Sequence, residues 1–438
     1  MKHTAILLAA CLPLLAACAA PATQPPASAM PTTPPQGAVL VQSSKPRLNA
    51  PAVAGESLSA LATGNNAFAF DLYRAIRAGQ GNLFYSPYSL SLALAMTYAG
   101  ARGNTEQQMA HALHFMLPQS QLHGAFNALD LKLNTTGQAN ADFKLSLADS
   151  LWGQAGFAFR PEFLDTLAEN YGAGLRLTDF VDAANREQSR QTINQWVADQ
   201  TQGKIKELLA KGFLSDLTRL VLVNAIYFKA DWDVPFTRGT HNGDFTRLDN
   251  TAVSVPMMSR RASTAYAKGA DYEAAEIAYK GNRMRMLVLL PAQGQFASFE
   301  QSLTAEHVDA IVRALKADEV ILTMPKFQFD ASLSLEDTLS TMGMSDAFDA
   351  NRADFSGMTG KRDPSTGSGQ ALYIAHVVHK AFVAVDEMGT EAAAATGIGM
   401  EVTSLPTVLT LDRPFVFVIR DGETGAILFA GRVLDPRQ

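Results

Sequence analysis

The sequence predicts an α+β fold in which most helices precede most strands along a single large domain. Apolar residues recur at helical spacing within residues 58–78, 89–99, 105–114 and 186–209. Runs of β-branched and aromatic residues dominate the second half of the chain. The sequence has no internal repeat and no long linker after residue 55. This order of elements favours α+β over a doubly wound parallel sheet.

The first residues have the pattern of an export signal rather than of a folded element. Lys2 and His3 precede an apolar run at 5–17, which is too short to span a membrane as a mature helix. The run ends in Leu-Ala-Ala-Cys at 15–18, which resembles the lipobox of a bacterial lipoprotein. That resemblance implies a signal peptide at 1–17 and several acyl chains on Cys18, enough for durable membrane anchoring. Plain secretion, with the cysteine inside the signal, is the alternative.

A change of composition separates a tether from the folded body. Residues 18–55 are rich in Pro, Ala and Thr and carry almost no charge, which predicts a disordered tether. The body is expected to span 56–438. Cys11 and Cys18 are the only two cysteines, so this body has no disulfide, no cysteine nucleophile and no cysteine metal site.

Composition and motifs argue against several classes of function. The 36 Lys+Arg and 42 Asp+Glu residues form no basic stripe, so nucleic acid is not expected as a partner. The sequence lacks a Gly-x-Ser-x-Gly elbow, a His-Glu-x-x-His motif and a P-loop, which disfavours an enzyme. His111 and His114 lie three apart on a predicted helix without an evident third ligand, so no metal or cofactor is expected.

Local signals place the individual elements. Asn104 is the predicted N-cap of the helix at 105–114, and Glu106 lies in its first turn. Pro291 and Pro325 end two of the predicted strands. The composition of 361–370 predicts a flexible surface loop. Strands are predicted at 220–228, 284–290, 320–324, 381–385, 415–419 and 426–433.

Residues 387–402 form an Ala-rich segment whose pattern suits a strand better than a helix. Two glycines, at 397 and 399, make a stable helix doubtful. At a period of two, one face is apolar or small throughout, so it can lie against a core while the other face meets water. Its first residues are small enough to enter a crowded sheet. The residues of this face are Thr390, Ala392, Ala394, Thr396, Ile398, Met400 and Val402.

Sequence blocks from about residue 56 to 438 together resemble the serpin family of serine protease inhibitors. The blocks lie at 82–89, 99–105, 222–232, 379–381, 387–396 and 412–417. The resemblance implies a fold with three sheets (A, B and C), about nine helices and an exposed reactive-centre loop at about 387–411. In an inhibitory member the loop is cut by a protease and then inserts into sheet A as a new strand.

The resemblance assigns a hinge and a reactive bond within this loop. By resemblance, the specificity residue, after which the protease cuts, lies sixteen positions after the hinge glutamate, Glu387, and eleven before Pro414. Both counts give Thr403, so the reactive bond is Thr403–Ser404. Thr403 is small and uncharged, so it suits elastase-like or subtilisin-like serine proteases first, and papain-like cysteine proteases second. A neighbour such as Val402 or Met400 is the alternative cleavage residue. The hinge residues are Glu387, Gly389, Thr390, Glu391, Ala392, Ala393, Ala394, Ala395 and Thr396.

The resemblance also assigns two groups of residues that control entry into the sheet. Ser86, Ser89, Asn224 and His379 match the shutter, a buried polar cluster under the strands that must part. Trp232, Lys326 and Glu387 match the breach, where the loop first enters. A Glu387–Lys326 ion pair is expected to hold the base of the loop.

The implied activity is suicide inhibition of target proteases through a covalent acyl-enzyme complex, by a monomeric inhibitor rather than an enzyme. A non-inhibitory serpin, acting as carrier, chaperone or protease substrate, is the alternative. Such members tend to have bulky or charged hinge residues, which this hinge lacks. Cys18 would anchor the protein in a bacterial cell envelope. Ala19 lacks the Asp associated with inner-membrane retention, which favours the outer membrane.

Overall fold

The computed structural model describes residues 37–79, 81–139, 143–362, 371–390 and 405–437, with side chains except at 134–147. Within these ranges, no helix combines the length and apolarity needed to cross a membrane. A π-helical segment, Ser340–Met344, and a 3₁₀ turn, Ser345–Phe348, follow the ninth helix. The α-helices are α1 Gly55–Ile76, α2 Pro87–Tyr98, α3 Gly103–Ala112, α4 Gln119–Ala139, α5 Pro161–Tyr171, α6 Ala183–Gln200, α7 Phe296–Ser302, α8 Ala305–Ala314, α9 Glu336–Leu339 and α10 Ser356–Thr359.

Sixteen strands in the described ranges form two sheets. Sheet A has seven strands in the order β1-β4-β3-β5-β13-β12-β11. The strands are β1 Val39–Val41, β2 Leu83–Tyr85, β3 Phe143–Gln154, β4 Leu175–Thr178, β5 Leu220–Asp231, β6 Thr240–Thr246, β7 Ala252–Lys268, β8 Tyr272–Ala278, β9 Met284–Pro291, β10 Lys316–Pro325, β11 Phe327–Ser334, β12 Ile374–Val385, β13 Gly389–Thr390, β14 Thr407–Thr410, β15 Phe415–Asp421 and β16 Ile427–Val433.

The other nine strands form one second sheet, where the resemblance implies two further sheets, B and C. Its order is β14-β10-β7-β8-β9-β15-β16-β2, with β6 paired to β7 beside this path. Strand β7 is 17 residues long and connects the two parts of this sheet, because it pairs with strands of both. Its first part pairs with β6, its middle with β10 and its last part with β8.

Sheet A is covered on both faces, which explains why β5 is apolar almost throughout. Leu222 and Ile226 belong to the main core with α1 and α2, whereas Val221 and Val223 belong to a second cluster with Trp196 of α6. A strand buried on both sides needs apolar residues at every position rather than at alternate ones. Asn224, the polar residue in the buried part of this strand, therefore needs a hydrogen-bond partner within the protein.

Helix α2 lies beneath sheet A, where it is capped at its start and buried on all sides. Ser86 is the N-cap and accepts the backbone N–H of Ser89 at 3.1 Å, with Pro87 at the first helical position. All 12 residues of α2 are buried. The helix packs against β3, β5 and β16.

The folded body begins earlier than the sequence analysis predicts. Strand β1 pairs with β4 at one border of sheet A, so the boundary predicted at residue 56 is too late. Lys45 then lies 3.0 Å from Asp165 of α5, and Arg47 lies 2.6 Å from Asp130 of α4. Composition did not reveal this segment because a three-residue strand binds mainly through its backbone.

Two predicted helix boundaries also change. Helix α3 begins at Gly103 rather than after Asn104, whose side-chain amide instead donates to Asp346. Helix α6 ends at Gln200 rather than near Leu209. Gln202 and Gly203 have φ values of 54° and 75°, and two successive left-handed residues cannot continue a right-handed helix.

Candidate functional site

The end of sheet A at which β5 and β12 finish, which we call the top, holds the beginning of an additional strand. Gly389 and Thr390 form β13, which lies between β5 and β12 and is antiparallel to both. Below this point β5 and β12 pair directly with each other, in parallel, from Leu220 to Tyr227 of β5. We call this direct pairing the seam. The sheet therefore has a strand started at one end of the seam and none between its walls farther down.

A tight turn positions this short strand. The Asp386 carboxylate accepts the backbone N–H groups of Met388 at 2.8 Å and Gly389 at 3.2 Å. The Trp232 backbone N–H donates to the Met388 carbonyl at 2.7 Å, and its indole N–H donates to the Asp386 carbonyl at 3.0 Å. A Cβ atom on Gly389 would lie 2.1 Å from the Ala230 carbonyl oxygen, so this position admits only glycine.

Thr390 is fully buried where the strand enters the sheet. Its hydroxyl lies 2.8 Å from the Tyr279 hydroxyl, and burial raises the pKa of Tyr279. The Tyr279 ring stacks on Trp232, with centroids 4.4 Å apart and an interplanar angle of 13°. The sequence alone does not single out Tyr279, because its contact with Thr390 joins distant segments of the chain.

The base of the loop carries the ion pair expected from the sequence. Lys326 Nζ lies 2.8 Å from the Glu387 carboxylate, and the Thr240 hydroxyl also donates to that carboxylate. Partial burial alone would raise the pKa of Glu387, but the hydrogen bonds from Lys326 and Thr240 lower it below its usual value. Glu387 is therefore ionised at neutral pH.

A second polar cluster lies under the seam around Asn224 of β5. Asn224 lies six residues before Ala230, the partner of Thr390, which corresponds to about 20 Å at 3.3 Å per residue. His379 Nε2 accepts the backbone N–H of Ser86 at 3.2 Å, so Nδ1 carries the proton and donates to the Asn224 carbonyl oxygen. The Asn224 amide donates to the Ser89 hydroxyl at 2.6 Å. Burial lowers the pKa of His379 to about 3, which keeps it neutral. The four residues assigned to the shutter thus form one network.

The cluster contains a carboxyl group that the sequence analysis missed. Asp149 of β3 accepts hydrogen bonds from the Ser89 hydroxyl at 2.9 Å and from the Asn224 amide. A signal for it exists in the sequence. Leu145, Leu147, Asp149 and Leu151 alternate along one strand, so a single acid interrupts an apolar face.

The remaining assigned residues divide into two groups. Trp232, Lys326, Glu387, Gly389 and Thr390 meet at the top of the seam. The hinge residues Glu391, Ala392, Ala393, Ala394, Ala395 and Thr396, the Thr403–Ser404 bond and Cys18 lie outside the described residues.

In the described part of the chain, no three His, Cys, Asp or Glu side chains gather closely enough to bind a metal ion. His114, considered above as a ligand beside His111, is 2.7 Å from Asp71.

Comparisons with known proteins agree on one family. The family model described as serpin (serine protease inhibitor) matches residues 63–436. An uncharacterized serpin-like protein of Thermococcus kodakarensis is 38% identical over 377 residues, which cover 85% of each chain. The leukocyte elastase inhibitor of Homo sapiens is 39% identical over 390 residues, covering 86% of this chain and 99% of that protein. The native structure of the thermophilic serpin tengpin has a TM-score of 0.79 at 26% identity, over 91% of this chain and 100% of tengpin.

Proposed function

The chain belongs to the serpin family, and we propose that it is an inhibitory member that captures its target protease by inserting its own cleaved loop into sheet A. The observation that carries this proposal is the two-residue strand β13 above the closed seam between β5 and β12. A loop already held at the entrance can continue downwards once cleavage frees its far end. Members of this family are in general inhibitors rather than enzymes.

The pairing geometry explains why insertion would be favourable. The seam is a parallel pairing, and β13 is antiparallel to both of its walls. Insertion would replace one parallel ladder with two antiparallel ones, and antiparallel pairing is slightly more stable per residue. Each new hydrogen bond contributes about 0.5–1.5 kcal/mol. A full ladder formed together can therefore drive a large displacement of a covalently attached protease.

The register of β13 also sets the length of strand that the seam can accept. Gly389 pairs with Asp231, and Thr390 pairs with Ala230. Each further loop residue would meet the preceding residue of β5, so Leu220, the first residue of β5, would meet Met400. The inserted strand would then stop just before the proposed reactive bond, Thr403–Ser404. The buried side chain of Thr390 sets which alternate residues would face the core, and these are the small or apolar residues Ala392, Ala394, Thr396, Ile398 and Met400.

The target is proposed to be an elastase-like or subtilisin-like serine protease, with papain-like cysteine proteases as the second choice. A small, uncharged Thr403 suits a shallow specificity pocket and supplies no charge for a trypsin-like one. The similarity to leukocyte elastase inhibitors over most of the chain supports the same class.

A panel of proteases tests the proposal. The protein is mixed with elastase-type, subtilisin-type, papain-type and trypsin-type enzymes, and each mixture is analysed on a denaturing gel. We expect a covalent complex with at least one of the first three, at about one inhibitor per enzyme, since insertion must outrun hydrolysis. Mass spectrometry of the released peptide should place the cut after Thr403.

The matched control for this panel is Thr403→Arg, which changes the specificity residue and leaves the hinge intact. This variant should lose the elastase-type complex and gain a trypsin-type one. If every enzyme yields only clipped protein, the non-inhibitory alternative is correct.

We further propose that Cys18 anchors the inhibitor in a bacterial cell envelope, in the outer membrane rather than the inner one. The support is the lipobox-like Leu-Ala-Ala-Cys at 15–18 followed by Ala19. Expressed in a bacterial host, the protein should sediment with outer-membrane vesicles, and Cys18→Ser should move it to the soluble fraction because no acyl chain can be attached. A Cys18→Ser protein that still sediments with membranes would rule out this anchor.

A further inference from the structure

The seam has a titratable carboxyl group attached to one of its two walls. Asp149 lies on β3 and pairs with Asn224 of β5, while Asn224 pairs across the seam with His379 of β12. Side-chain hydrogen bonds follow the same path, from Asp149 to Asn224 and from Asn224 to His379. Besides the Ser89 hydroxyl, the Asn224 side chain therefore has a carboxyl group as a partner on one side and an imidazole on the other.

Separation of the two walls must break one of these bonds and can keep the other. A strand that enters the seam moves β5 and β12 apart by about 4.8 Å, one strand spacing. The Asn224–His379 bond cannot survive that distance, whereas Asp149 and Asn224 lie on two strands that pair with each other on one side of the seam, and Ser89 of α2 is bonded to both. The state of Asp149 therefore influences how the amide of Asn224 is held before and after opening.

Desolvation raises the pKa of Asp149 to about 8, with Asp130 of α4 acting in the same direction and the hydrogen bonds from Ser89 and Asn224 opposing it. Two other groups that face this cluster, His379 and Tyr88, do not titrate near neutral pH. His379 has its pKa lowered to about 3 by burial, and Tyr88 of α2 has its pKa raised well above 10 by burial. Asp130 is paired with Arg47 at 2.6 Å.

We propose that Asp149 is a positioning residue of the seam, and that loss of its proton loosens the pairing of β5 with β12 and makes strand opening pH-dependent. The consequence for inhibition rests on the function proposed above, because opening of the seam is the step that admits the loop. When it is protonated, the Asp149 carboxyl group is hydrogen-bonded to Ser89 and Asn224 and carries no charge. Ionised, it leaves a half-buried charge beside the main core, and opening relieves that charge by admitting more water.

The sign of the effect follows from proton linkage. The closed seam keeps the proton of Asp149 up to about pH 8, whereas a hydrated carboxyl group in the open state has an ordinary, lower pKa. Opening therefore releases a proton and becomes more favourable as the pH rises. The slope is at most about tenfold per pH unit for one group, and the effect levels off above pH 8, where the closed state is ionised as well.

Hydrogen exchange on the full-length protein tests this inference. The opening constants of the amides along residues 220–227 and 376–382 are measured from about pH 5.5 to about pH 9 and corrected for the intrinsic pH dependence of exchange. We expect these constants to rise several-fold per pH unit in the wild type up to about pH 8. In Asp149→Asn, which keeps the shape and the hydrogen-bonding capacity of the side chain, they should be flat.

A second variant tests whether the titration belongs to Asp149. Asp130→Asn removes the neighbouring acid and should keep the slope of the wild type. A flat profile in the wild type, an unchanged slope in Asp149→Asn, or loss of the slope in Asp130→Asn would each overturn the inference. Exchange requires no protease. A protein that yields only clipped product in the panel above would therefore remove the proposed function and leave the exchange result to decide on Asp149 separately.

Discussion

The Thr390→Arg variant is expected to be cleaved by the target protease without capturing it. Thr390 is fully buried between Ala230 and Val385, with its hydroxyl on Tyr279. An arginine there would place a charge in the sheet without a carboxylate partner, at a cost of several kcal/mol. A barrier raised by only about 3 kcal/mol slows insertion more than about 100-fold. Hydrolysis of the acyl-enzyme then finishes first.

The measurement is the yield of covalent complex on a denaturing gel, with the number of inhibitor molecules consumed per enzyme. Thr390→Val is the matched control, because valine has nearly the same shape and loses only the bond to Tyr279. It should keep most of the complex, since one hydrogen bond contributes about 1 kcal/mol. Undiminished capture by Thr390→Arg would show that this position does not enter the sheet during inhibition.

The Glu387→Lys variant is expected to inhibit less efficiently and to form polymers. Glu387 lies 2.8 Å from Lys326, and both side chains are partly exposed, at 28% and 38%. Such a pair contributes at most about 1 kcal/mol, and reversal adds a repulsion of similar size. A change of 1–2 kcal/mol corresponds to a factor of about 5–30 in an equilibrium. Molecules with an open top of sheet A, which can accept a foreign loop, become more frequent by that factor.

Native gel electrophoresis and the stoichiometry of inhibition measure this effect. Glu387→Gln is a milder control, because its carbonyl can still accept from Lys326 and Thr240. The double variant Glu387→Lys with Lys326→Glu restores opposite charges and should recover monomer. A fully active monomer in the single variant would contradict the role assigned to this ion pair. Because the folded-state pKa of Glu387 is lowered, the pair persists at neutral pH and is lost only as the pH falls through that value.

The fold class and several strands could be predicted because their signals are local. The apolar runs at 220–228 and 415–419 correspond to β5 and β15, which are buried on both sides. The sequence predicts neither strand β7 nor helix α4. The 17 residues of β7 mix polar and apolar positions, since successive parts of the strand pair with three different neighbours and no single period is kept.

The part of the candidate site that is formed by one continuous segment can be predicted from the sequence. The segment that contains Gly389 and Thr390 is enough to predict both as hinge residues, and both lie between β5 and β12. Asp149 and Tyr279 were not identified because each acts through a contact with a distant part of the chain. Neither contact leaves a periodic pattern beyond one polar residue on an apolar face.

Strand β1 affects how neighbouring copies of the molecule meet. An unpaired border strand offers its backbone groups to other chains and promotes aggregation. Val39–Val41 satisfies those groups on Leu175–Leu177, and the new border is only three residues long. At the opposite border, β11 presents Asp330 and other polar side chains to water. For copies concentrated on a membrane surface, as proposed above, edge-to-edge association is therefore disfavoured at both border strands of sheet A.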